Sequence, residues 1–117
     1  MKHEYRKLNI WKDARELNIM IYQITNGFPN NESYGLASQL KRASISIASN
    51  IAEGSAYESN KMFLKYLNIA IGSLCETETQ LYLANDVKFI TNENLTELIN
   101  KTDKLKRMII SFSNKLK

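Results

Sequence analysis

Residues 36–54, Leu-Ala-Ser-Gln-Leu-Lys-Arg-Ala-Ser-Ile-Ser-Ile-Ala-Ser-Asn-Ile-Ala-Glu-Gly, decide the fold of this chain. At about 100° per residue on a helix, Gln39, Arg42, Ser46, Asn50 and Glu53 fall within about 80° of one another. Leu36, Leu40, Ala43, Ile47 and Ile51 form an adjoining apolar face, and Ile45, Ala48 and Ala52 form a second, partly opposed one. Apolar residues on more than one side mean cover on more than one side. The stretch therefore predicts a central helix enclosed by protein, with a polar seam and small residues that let neighbours come close.

On either side the pattern stays helical. The first helix is expected over about 10–26, capped near Asn9, with Ile10, Ala14, Leu17, Ile21 and Ile24 as its stripe and Asn26-Gly27 plus Pro29 ending it. The second is expected over 32–56, capped by Asn30 or Asn31, with Glu32 in its first turn. Ser59 opens a third over 60–86, where Phe63, Leu67, Ala70, Leu74 and Leu81 share a face. Thr91 or Asn92 caps a fourth over 92–116, apolar along Leu95, Leu98, Ile99, Leu105, Ile109, Phe112 and Leu116. Four helices with short connections imply an all-α, antiparallel up-down four-helix bundle, one domain over residues 1–117.

Two features of the helices ask for partners. Glu78 falls inside the apolar arc of the third helix, where a carboxylate is costly unless paired, and Arg42 is the natural candidate. Gln39, Arg42, Ser46, Asn50, Glu53 and Glu78 then read as a structural polar network. The alternative is a groove for an anionic ligand, with Arg42 carrying the charge. Ile19, Ile45, Ala48, Ala52, Ile69 and Leu83 point away from the main stripes and suggest surface covered by further subunits.

Net charge is +4, and its distribution says more than its total. Residues 1–15 carry a net +3, residues 101–117 a net +5, and the body between them a net −4. Such basic ends suit nucleic acid, or they only solvate helix faces. The candidate contacts are Lys101, Lys104, Arg107 and Lys115, supported by Lys2, Arg6 and Lys7. Trp11, Arg15 and Tyr22 lie along one flank of the first helix, an aromatic pair bracketing an arginine that suits base stacking, or else core edge or subunit contact.

Other chemistries find little support. One cysteine excludes an internal disulfide framework, and Cys75, mid-helix beside apolar residues, reads as a buried, inert thiol. One histidine, His3, leaves no zinc constellation, and the carboxylates Glu53, Glu76 and Glu78 lack the helical histidines of a di-metal bundle. Phosphate loops and metalloprotease motifs are absent. No enzymatic activity and no cofactor are expected, nor any membrane span. The start of the chain lacks a hydrophobic signal core, so the expected location is the cytoplasm.

The run Leu36-x-x-Gln39-Leu40-x-Arg42-Ala43-x-x-Ser46-Ile47-x-x-Asn50-Ile51-Ala52-Glu53-Gly54 resembles the four-helix-bundle family encoded in intervening sequences of bacterial 23S rRNA genes. Trp11, Phe28-Pro29, Tyr34-Gly35-Leu36, Phe63, Leu67, Ile69-Ala70, Gly72-Ser73-Leu74, Glu76 and Thr79-Gln80-Leu81 extend the resemblance over about residues 10–90. It implies a non-enzymatic, cytoplasmic bundle that assembles into a ring-like homo-oligomer, commonly a pentamer. That family is also similar to accessory proteins of diversity-generating retroelements, which bind nucleic acid and partner a reverse transcriptase. RNA or DNA and a nucleic-acid-processing protein are thus the implied partners, beside other copies of the chain. Where family members often carry an arginine after Glu-Gly, this chain has Ser55-Ala56-Tyr57, which departs from any phosphate-holding turn there. The reading from a different class is a structural or protein-interaction scaffold with no nucleic-acid role.

Overall fold

The apolar stripes organise the whole chain, and they do so as helices. A computed structural model describes residues 3–32 and 35–117. It contains four long helices: α1 (Asn9–Thr25), α2 (Leu36–Ser55), α3 (Asn60–Asp86) and α4 (Asn92–Leu116), with short 3-10 turns at Tyr5–Lys7 and Asn30–Glu32. No strand occurs among the described residues. The ends of α3 and α4 follow from side chains that satisfy free backbone donors. Ser59 accepts from the Met62 N–H at 3.3 Å, and Thr91 accepts from the Asn94 N–H at 3.0 Å.

Two starts differ from the sequence expectation. The second helix begins at Leu36, four residues later than expected, because Gly35 adopts a non-helical φ of −104° and ψ of −121°. Asn30 and Asn31 belong to the separate turn, so neither caps α2, and Glu32 lies outside its first turn. At α1 the cap position is Leu8, which supplies no side-chain bond, and Asn9 is already helical.

Each helix packs on the next, most extensively α2 on α3, and α4 closes against α1. The core between them holds Leu17 and Ile21, Leu40, Ile47 and Ile51, Phe63, Leu67, Leu74 and Leu81, and Leu105 and Ile109, all effectively sealed from water. Burying each such side chain contributes about 1.5–3 kcal/mol, which outweighs any local preference. At about 1.5 Å per residue, α3 spans most of the molecule's 44 Å long axis.

The turn from α3 to α4 contains the backbone feature that the sequence hides. Lys88 takes a left-handed conformation, φ 66°. Its N–H bonds to Asn85 O at 2.9 Å and the Phe89 N–H bonds to Ala84 O at 2.8 Å, the paired closure of a helix end that glycine usually provides. Phe89 is thereby turned onto Phe28, ring centroids 5.3 Å apart. Replacing Lys88→Gly should relieve the strained position and stabilise the fold by about 1 kcal/mol. A thermal melt should show a midpoint about 4 °C higher. A lowered midpoint would mean that the lysine side chain, not the backbone, governs this turn.

Candidate functional site

The basic residues of α4 divide into three groups: Lys106 pairs with Glu78 of α3 at 2.7 Å, two more face α1, and two have no partner among the described residues. Lys101 reaches Glu16 of α1 at 2.8 Å and Lys104 reaches Asp13 at 3.8 Å, so both help to fasten α4 to α1. Lys101 holds the Glu16 carboxyl below its ordinary range, first through their hydrogen bond and then through its charge. Arg107 and Lys115 are exposed and have no ion-pair or hydrogen-bond partner among the described residues. Of the N-terminal set, Arg6 lies 3.5 Å from Glu4 and over the Tyr5 ring, and Lys7 is exposed. Lys2 lies outside the described residues.

The two unpaired cations border a groove of about 420 Å³ between the start of α1 and the C-terminal half of α4. Leu8, Asn9 and Ile10 form one wall, and Arg107, Met108, Ser111, Phe112 and Lys115 form the other. The spacing of α4 accounts for this arrangement. Arg107, Ser111 and Lys115 form one i,i+4 row, and Met108 and Phe112 form the row beside it. Phe112 is held in place by Phe63 and His3, at 5.5 and 5.9 Å between ring centroids. The groove thus has a cationic rim and an apolar floor.

The polar seam of α2 is not the enclosed network that its residues suggest. Ser46 joins it to α3: its Oγ accepts from Ser73 Oγ at 2.9 Å, and also from Asn50 Nδ2 of α2 itself at 2.9 Å. Gln39, Arg42 and Glu53 lie exposed on the outer side. Glu78 does need partners, but Arg42 is not one of them. Its Oε1 accepts from Lys106 Nζ at 2.7 Å and its Oε2 from the buried Thr102 hydroxyl at 2.7 Å, both on α4. The reason is geometric: Glu78 faces α4 across the bundle, while Arg42 points outward from α2. Lys106 and Thr102, four residues apart on one face of α4, were the missed signal.

Several smaller expectations change as well. Cys75 is exposed, not buried. The Trp11 and Tyr22 rings already carry cations of their own chain, Arg15 at 4.8 Å and Lys41 at 5.1 Å. Ile19, Ile45, Ile69 and Leu83 are exposed by 43–56%. Ala48 packs against the bundle's own core and Ala52 is half-buried, so neither stands out as free apolar surface. Among the described residues no group of three or more His, Cys, Asp or Glu could hold a metal ion, and no helix is long and apolar enough to cross a membrane.

Comparison with known proteins gives matches of two kinds. A family model described as 23S rRNA-intervening sequence protein matches residues 6–111. A crystal structure from Bacteroides thetaiotaomicron, of a protein with unknown function from the S23 ribosomal protein family, superposes with a TM-score of 0.82. It is 25% identical, and the match covers 89% of this chain and 97% of that one. No curated protein matches.

Proposed function

The chain belongs to the 23S rRNA-intervening sequence protein family, and from that premise we propose a non-enzymatic, cytoplasmic, homo-oligomeric bundle that binds RNA through sequence-tolerant phosphate contacts. The observation that carries the reading is the pair Arg107 and Lys115, left unpaired on the rim of an open groove in a chain of net charge +4. A cation that answers no carboxylate among the described residues is available to a phosphate. Lys101 and Lys104 contribute less, since α1 already engages them.

The helix pairings favour an antiparallel up-down arrangement, because numbering rises on one helix as it falls on its neighbour. Asp13 and Glu16 meet Lys104 and Lys101; Asn60 meets the Leu116 carbonyl while Glu78 meets Thr102. Ile19, Ile45, Ile69 and Leu83 are the apolar residues offered to further copies in a ring, and the family resemblance implies a pentamer as its closure. The same exposed residues are what would favour a protein-docking scaffold.

Binding to a structured RNA should weaken steeply as salt rises, because neutralised phosphates release counterions. Substituting Arg107→Gln together with Lys115→Gln should flatten the slope of log K against log salt by about 2 per engaged subunit. A filter-binding titration with the solution mass measured in parallel checks both parts. A monomer in solution would remove the ring, and no binding at low salt would leave the scaffold reading in its place.

A further inference from the structure

We infer that the groove between the start of α1 and the end of α4 receives one unpaired nucleotide of a bound RNA strand. Its base lies against Met108 and Phe112, and its flanking phosphates lie on Arg107 and Lys115. This rests on the RNA-binding reading above and narrows it to single strands.

The shape of the groove carries the argument. Phosphate contacts alone require only charge, and a flat face with Lys101 and Lys104 would serve a duplex equally well. Here the two free cations are eight residues apart on α4, about 12 Å along its axis. Between them lies an apolar floor, Met108 and Phe112 faced by Leu8 and Ile10, with the Ser111 hydroxyl on the rim. A volume of about 420 Å³ is roomy enough for one base together with its sugar. An acidic peptide would satisfy the cations but leave the floor uncovered, whereas a base attached to a phosphodiester fills both. Bases in a duplex are stacked and paired and cannot enter, so the groove selects for strands whose bases can be splayed out. Phe112 is fixed by its ring neighbours before any ligand arrives.

The test compares a twelve-residue single-stranded oligoadenylate with a twelve-base-pair RNA duplex at fixed salt. The wild-type protein should favour the single strand by about tenfold, the scale of one stacked base. Ser111→Leu, which fills the groove mouth, and Met108→Gln, which makes part of its floor polar, should each abolish that preference by lowering single-strand affinity about tenfold. Both positions are at or near the surface, and helical melting curves confirm that the variants are folded. Equal binding of the two RNAs by the wild type overturns this inference while leaving the phosphate-binding reading intact. A preference that survives in both variants overturns the groove as its source. Binding of neither RNA overturns both readings.

Discussion

Gly54→Val is expected to destabilise the bundle by about 3 kcal/mol, the upper end of the usual cost of overpacking. By intrinsic propensity the change should help, since valine is a better helix former than glycine. The packing reverses the sign. A Cβ on Gly54 would sit 2.7 Å from Tyr66 Cβ and 2.8 Å from Phe63 Cδ1. Neither atom can yield: a Cβ is fixed to the backbone of α3, and Phe63 is 1% exposed within the core. To admit even a methyl, α2 and α3 must move apart along the most extensive contact in the molecule. Gly54→Ala should therefore cost about 1–2 kcal/mol, and urea unfolding of the two variants should rank them in that order. An alanine variant as stable as wild type would show that the helices are not held this close.

The second large effect concerns the Glu78 cluster. Glu78→Ala is expected to cost about 2 kcal/mol, because it strips the Lys106 cation of its 2.7 Å acceptor, while the sealed Thr102 hydroxyl keeps only the Ile99 carbonyl at 3.0 Å. The figure lies below that for a fully buried ion pair because Lys106 retains 27% exposure and has Asp103 at 3.8 Å. Replacing both ends, Glu78→Leu with Lys106→Met, should recover most of the loss, since no uncompensated charge then remains. The pair also has a pH signature. The Glu78 hydrogen bond raises the Lys106 ammonium above its ordinary value of 10.5, against the opposing effect of burial. A raised folded value means that its contribution is fully present below pH 10.5 and is lost as pH rises through the higher, folded value. Above neutral pH, denaturation midpoints of wild type and Lys106→Met should therefore converge only in strong alkali. Convergence near neutrality would exclude this pair as the source.

How much of this was legible beforehand differs from residue to residue. The stripes of α1, α3 and α4 could be read directly, because which residues share a helix face is set by the helix repeat alone. Residues such as Leu17, Leu67 and Leu105 accordingly lie where their spacing places them. The need of Glu78 for partners was legible for the same reason; their identity was not. Face position says nothing about which neighbour stands opposite, and α4 stands there instead of the polar side of α2. Arg42 was assigned to that role and is instead exposed, so its truncation removes no buried pair from the bundle. Lys88 offered no signal at all, since its left-handed backbone follows from the closure onto Ala84 and Asn85.

The candidate site divides along the same line. The residues by themselves determined a basic final helix with an apolar stripe, since charge and periodicity are properties of the chain. Only the tertiary structure decided which of its cations are free. Asp13 and Glu16 lie far away in sequence and are brought opposite Lys104 and Lys101 by the docking of α1 on α4, while Arg107 and Lys115 are left facing a groove. Helical character is local and survives in any context. Pairing between helices exists only once the core has closed and set their order.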